Sequence, residues 1–155
     1  MTRRLMPGKL SKFQALSWPE RRVLLQAMLL LPLFWVGLRA LGLSRLHAWV
    51  ARWPVTARLP RPDVKPAAIG TLVGIAGNNV PFPSTCLTQS LLLTWLLGRR
   101  GVRSELRIGV RRVDGGIDSH AWVEHEGRPV NDTPEVAERF AAFDRSLSPE
   151  QGSPP

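Results

Sequence analysis

The chain has 155 residues, 44% of them hydrophobic, with 21 Lys+Arg against 12 Asp+Glu and a formal charge of +9. That length fits one domain, and that hydrophobic fraction excludes wholesale disorder. A single cysteine excludes an internal disulfide, and without a CxxC or Cys/His cluster there is no structural zinc site. The charge is unevenly placed: residues 1–66 hold 12 basic and 2 acidic side chains, net +10, whereas residues 67–155 hold 9 and 10, net −1. A nucleic-acid domain spreads its positive charge over a folded face. A basic arm ahead of a nearly neutral body argues against a nucleic-acid partner and directs attention to the body.

Arg3, Arg4, Lys9 and Lys12 precede an apolar run. Ser17, with Glu20 three positions on, has the form of a helix start. From Val23 to Leu38 there are 16 residues without a formal charge, interrupted by Pro32. The pattern predicts a hydrophobic helix kinked near Pro32, then a more amphipathic segment through Leu41, Leu43, Leu46, Val50 and Trp53. No small-residue cleavage site follows the run, against a signal peptide. A span needs about 20 apolar residues, and this run is shorter and holds a proline. Core helices covering the body, in a cytoplasmic protein, are the favoured reading; membrane association is the disfavoured one. His47, alone on this segment, reads as structural.

Pro54, Pro60, Pro62 and Pro66 mark an extended linker. Residues 67–76 are too apolar for a free tether and suit a short helix. The expected organisation is a basic helical arm and linker over 1–66, a catalytic body over 67–145, and a disordered tail over 146–155.

Ser84 or Thr85 can cap a helix that begins at Cys86, with Leu87, Leu91, Leu92, Trp95 and Leu96 on one face and Gly101 closing it. Free N–H groups and the helix dipole would stabilise a thiolate at Cys86. A lone cysteine is as readily a small buried hydrophobe, so on this ground both readings stand. Residues 105–111 then alternate as a half-buried strand, Asp114-Gly115-Gly116 turns, Ser119 to His125 forms a second strand, and Pro129 to Asp132 a short third.

On the second strand His120, Trp122 and Glu124 face one way and Ala121, Val123 and His125 the other. A hairpin centred near residue 126 sets His120 opposite Asp132, with side chains about 5 Å apart. A carboxylate there fixes the imidazole tautomer and frees the other nitrogen to deprotonate a thiol. The stretch from His120 to His125 is one residue too long for the H-x-x-E-H zinc pattern, and its two histidines diverge. The sequon at Asn131-Asp132-Thr133 is set aside, since nothing else points to secretion. Thr133-Pro134-Glu135 opens a final short helix with Val136 and Phe140 turned inward.

Cys86-Leu87-Thr88-Gln89-Ser90-Leu91, Leu96 to Gly101, Ile108-Gly109-Val110, and His120-Ala121-Trp122-Val123-Glu124 with Gly127 and Asp132 together resemble the lasso-peptide leader peptidases. These are transglutaminase-like maturation proteases of the microcin-processing type, and the likeness runs from about Pro81 to Thr133. It implies an α+β, papain-like cysteine protease core, a helix packed on a small antiparallel sheet, preceded by hydrophobic N-terminal helices. It also implies Cys86 as nucleophile, His120 as general base and acid, Asp132 as orienting carboxylate, and no cofactor or metal. The implied partners are a precursor peptide, a cyclase that closes the macrolactam, and a separate leader-recognition protein, since residues 1–66 lack the alternating strands of the recognition domain in longer relatives. Gln89 stands where many relatives carry a basic residue. For a side-chain oxyanion donor, Asn78, Asn79 and Gln89 are candidates by proximity in sequence. Two other functions fit the same residues: acyl transfer to an amine through the same triad, and a non-catalytic membrane-associated scaffold.

Overall fold

A computed structural model describes residues 15–52 and 64–142. The basic positions 3–12, the prolines at 54, 60 and 62, and the tail from 146 lie outside the described residues.

Three helices come first: α1 (Trp18–Arg52), α2 (Pro66–Gly77) and α3 (Cys86–Gly98). Four strands and a short helix follow: β1 (Glu105–Val113), β2 (Gly116–His125), β3 (Arg128–Pro129), α4 (Val136–Arg139) and β4 (Ala141–Ala142). The antiparallel sheet has the order β3-β2-β1-β4.

At the start of α1 the Ser17 N–H and hydroxyl both donate to Glu20 Oε2, at 2.8 and 2.7 Å, the carboxylate half of a capping box. The expected kink at Pro32 is not where the helix breaks. Helical backbone runs through Pro32 and gives way at Gly42, whose φ of 75° and ψ of 168° suit a residue without Cβ. Proline costs one hydrogen bond but keeps a helical φ, and Ala27, Leu31 and Phe34, on either side of it, are buried in the core. By length and composition α1 is also able to cross a membrane, so the shortness of the charge-free run does not decide that question. What α1 does here is cover the body: Val23, Leu24, Ala27, Leu31, Phe34, Leu46 and Val50 join the main core.

Helix α3 is the centre of that core. It carries no charged residue, and Leu91, Leu92 and Leu93 are all at 0% exposure because α1, α2 and the sheet enclose successive faces of it. Each such leucine contributes roughly 1.5–3 kcal/mol of burial. Thr85 Oγ1 accepts from the Thr88 N–H to cap its start. Gly101, at φ 73°, lets the chain turn back so that the Val102 N–H reaches the Leu97 carbonyl.

One face of the sheet, with Leu106, Ala121 and Val123, packs on the helices. The other carries Trp122, covered by Val136 and Phe140. The alternation expected for β2 therefore holds, with a separate small core on each side. The turn at Glu126 (φ 51°) and Gly127 (φ 73°) is left-handed at both positions, which suits a tight two-residue hairpin. It pairs His125 with Arg128 and Glu124 with Pro129.

Candidate active site

That register differs by one residue from the expected one. Continued regularly, it would set Asp132 against Ala121, on the wrong face of the sheet. The third strand, expected through Asp132, instead stops at Pro129. The Val130 N–H still donates to the Val123 carbonyl at 2.9 Å. The return bond from the Val123 N–H goes not to a backbone carbonyl but to Asn131 Oδ1, at 2.8 Å. The Val130 carbonyl turns instead toward α2 and occupies the place a side chain on Gly70 would fill. This departure from the ladder brings Asp132 back to His120, and Asp132 Oδ2 lies 2.5 Å from His120 Nε2. The expected pair is present, built by a bulging loop rather than by a regular hairpin.

Asn131 fastens the loop a second time. Its Nδ2 donates to Ser90 Oγ at 3.1 Å, and Ser90 Oγ donates to the Ala121 carbonyl at 3.1 Å. Ser90 is fully buried, one turn after Cys86, and Ala121 is next to His120. A single polar chain thus joins the start of α3, the centre of β2 and the loop carrying Asp132. Buried and satisfied, such a network fixes relative position more than it adds stability.

The imidazole of His120 is close to two aromatic rings. Trp122 stacks at 6.3 Å with 20° between planes, and Phe140 lies at 5.1 Å with 32°. Trp122 Nε1 donates to Glu124 Oε1 at 2.9 Å. Directly opposite His120 is Gly109, where a Cβ would come within 2.9 Å of Phe140 Cβ and 3.0 Å of the Trp122 ring. The absence of a side chain at Gly109 is what lets the two rings approach the histidine.

Asp132 Oδ1 accepts from the Thr133 N–H at 2.7 Å and from Arg139 Nη2 at 3.0 Å. Burial pushes its carboxyl up, but the hydrogen bonds from His120 and the Thr133 N–H, with the charges of His120 and Arg139, outweigh burial and hold it below the usual carboxylate range. A carboxyl depressed by folding stabilises the fold above its unfolded pKa, near 4, and loses that contribution as pH falls through the lower folded value. Asp132→Asn is therefore expected to cost stability at neutral pH and little in strong acid. Paired thermal melts from about pH 7 to about pH 2 check this; a gap between the two proteins that stays constant over the range would contradict it.

Cys86 is the first residue of α3, half-buried against the main core. Among the described residues the N–H groups of Cys86 and Leu87 have no backbone acceptor, because the capping bonds begin with Thr88 and Gln89. No hydrogen bond joins the thiol to His120 among the described residues; thiol–imidazole contacts are often long before substrate binds. With Nε2 committed to Asp132, the imidazole nitrogen left for a proton is Nδ1.

Of the side-chain oxyanion candidates, Asn79 Nδ2 donates to the Ile75 carbonyl at 2.7 Å, at the end of α2. Gln89 Nε2 donates to Ser84 Oγ at 3.2 Å and Ser84 O at 3.4 Å, tying the loop before Cys86 to α3. His125 is elsewhere, its Nδ1 donating to the Arg103 carbonyl at 2.7 Å. Among the described residues no three His, Cys, Asp or Glu side chains group as a metal site would require. Phe140 is buried, as its inward-facing position after Pro134 predicts, but no sequence pattern singles out Arg139 as the partner of Asp132.

These features have counterparts in known proteins. The chain is 38% identical over 62 residues to the microcin J25-processing protein McjB of Escherichia coli, a stretch covering 40% of this chain and 29% of that protein. The chain thus matches less than a third of that relative's length. No solved structure matches the chain. The transglutaminase-like superfamily matches over residues 27–144, from the first half of α1 to just beyond β4. With its α+β core, a central helix beginning at the cysteine, a histidine on the adjoining sheet and its aspartate partner on the loop that follows, this chain belongs to the transglutaminase-like superfamily.

Proposed function

We propose that this protein is a cysteine peptidase that removes the leader from a ribosomally made lasso-peptide precursor in the cytoplasm, before a partner cyclase closes the macrolactam. The observation that carries this reading is the His120–Asp132 pair. Asp132 engages Nε2, so Nδ1 presents its lone pair on a sheet packed against the helix that starts at Cys86.

The chemistry follows from those positions. The thiol of Cys86 gives its proton to His120 Nδ1 and attacks the scissile carbonyl carbon. The carbonyl oxygen becomes an oxyanion held by the N–H groups of Cys86 and Leu87, which have no acceptor among the described residues. The imidazolium, steadied by Asp132, returns its proton to the leaving amine as the C–N bond breaks. Water activated by His120 then hydrolyses the thioester. The similarity to a microcin-processing protein over the stretch described above supports a precursor peptide as substrate.

Recognition of the leader is assigned to a separate small chain. The described part of residues 15–52 is a core helix, not strands to which an extended leader could add. Such a partner raises the local concentration of the scissile bond without changing the chemistry. Incubating the purified chain with precursor and reading product masses tests the proposal. Leader and core fragments are expected, slowly or not at all without the recognition protein and readily with it. Intact precursor in both arms would overturn the peptidase assignment, and equal rates in both would overturn the division of labour.

A further inference from the structure

The inner face of α1 is covered by the body, and the outer face is as apolar as the inner. Leu25, Leu29, Leu33 and Val36 recur at helical spacing opposite Val23, Ala27, Leu31 and Phe34, and are 49, 74, 64 and 54% exposed. Trp18 extends the stripe toward the helix start at 70% exposure. Only 28% of the most apolar window of α1 is buried. A helix that is apolar all round is one whose whole circumference is meant to leave water.

Charge identifies what covers the outer face. Arg22 and Arg39, both exposed, flank the stripe. Arg45 and Arg52 follow, and Arg3, Arg4, Lys9 and Lys12 precede it in sequence. The one acidic residue of α1 is Glu20, whose carboxylate is taken by Ser17. We propose that the outer face of α1 docks on the surface of an anionic lipid bilayer, lying in the interfacial plane with the catalytic body above it.

Leucines entering the acyl boundary, arginines at headgroup level and a tryptophan at one end are the division of labour an interfacial helix needs. The basic residues supply the second, electrostatic signal that makes such binding stable. A spanning arrangement would strip Val23, Leu24, Ala27, Leu31 and Phe34 from the body, and each of them is at most 6% exposed. A second copy is disfavoured by charge: antiparallel pairing of two such faces sets Arg22 of one copy near Arg39 of the other, with no carboxylate on the face to offset them. This inference is independent of the peptidase chemistry, since it concerns the side of α1 away from Cys86 and His120.

The full chain is to be sedimented with vesicles of phosphatidylcholine, alone or mixed with phosphatidylglycerol. Binding to the anionic vesicles is expected to be at least about tenfold tighter and to weaken with added salt. Leu29→Glu with Leu33→Glu is expected to lower that binding about tenfold or more while the circular dichroism and melting temperature stay near those of the parent. Arg22→Glu with Arg39→Glu is expected to lower it without touching the leucines, so the test survives if the leucine pair destabilises the fold. Equal affinity for neutral and anionic vesicles overturns the proposal. So does absence of vesicle binding, whether the chain is then a monomer or a dimer by light scattering. Retention in cell membranes through alkaline carbonate would also overturn it, in favour of a spanning helix.

Discussion

Cys86→Ala is expected to reduce precursor cleavage below detection while the protein melts within a few degrees of the parent. Loss of the nucleophile removes the acyl-enzyme route altogether, an effect of about 10⁶-fold where such triads have been dismantled. The fold should bear the change. Cys86 occupies the first position of α3, half-buried, with the cap supplied by the neighbouring Thr85. Alanine is the best helix former and removes one sulfur atom from the edge of the core rather than its centre. The N–H groups at residues 86 and 87 are main-chain donors and remain, so the variant should still bind precursor and recognition protein. Product masses at the parent rate from a correctly folded Cys86→Ala protein would falsify the assignment of the nucleophile. A comparable loss of cleavage with a collapsed melting temperature would show a structural cysteine instead.

The parts of this site legible in the sequence were those set by local rules. A capping threonine before an uncharged run fixes the start of α3, and with it the exposure of Cys86. Period-two alternation fixes which side of β2 carries His120 and Trp122. The sequence also pairs His120 with Asp132, though through a hairpin register one residue away from the observed one. What sends Asp132 to the correct face is the Val130 carbonyl turning toward Gly70 and the Asn131 amide reaching Ser90. Both contacts join loop to helix across long stretches of chain, and no window of sequence displays them. The break in α1 lies at Gly42 and not at Pro32 for a related reason. Local propensity points to Pro32, but burial of Leu31 and Phe34 outweighs it, and Gly42 adopts the backbone that no other residue adopts cheaply. Gly109 was visible as a motif residue, but its purpose appears only when Trp122 and Phe140 are seen to close on the space it leaves.

Asp132→Asn is expected to lower kcat by about 10⁴-fold, with the substrate's KM little changed. An asparagine here is not a mild replacement, although an amide orients the histidine in some cysteine proteases. The reason lies in what surrounds the carboxylate. Oδ1 accepts two donors, the Thr133 N–H at 2.7 Å and Arg139 Nη2 at 3.0 Å, while Oδ2 faces the single nitrogen of His120. An amide must therefore keep its oxygen toward Thr133 and Arg139 and turn its NH₂ to His120 Nε2. That nitrogen then becomes an acceptor, the proton moves to Nδ1, and the imidazole no longer offers a base to the thiol. Arg139→Met should partly undo this, because removing the charged donor lets the amide turn its oxygen to His120, with only the Thr133 N–H opposing. The double variant Asp132→Asn with Arg139→Met is thus expected to cleave faster than Asp132→Asn alone, a reversal that simple loss of structure would not produce. His125→Ala, which loses a bond to the Arg103 carbonyl on the other side of the strand, should stay within a few-fold of the parent. Steady-state cleavage of a fluorogenic precursor by the four proteins decides the matter. If Asp132→Asn keeps parental kcat, or if His125→Ala is the more damaged, the carboxylate does not set the tautomer of the working histidine.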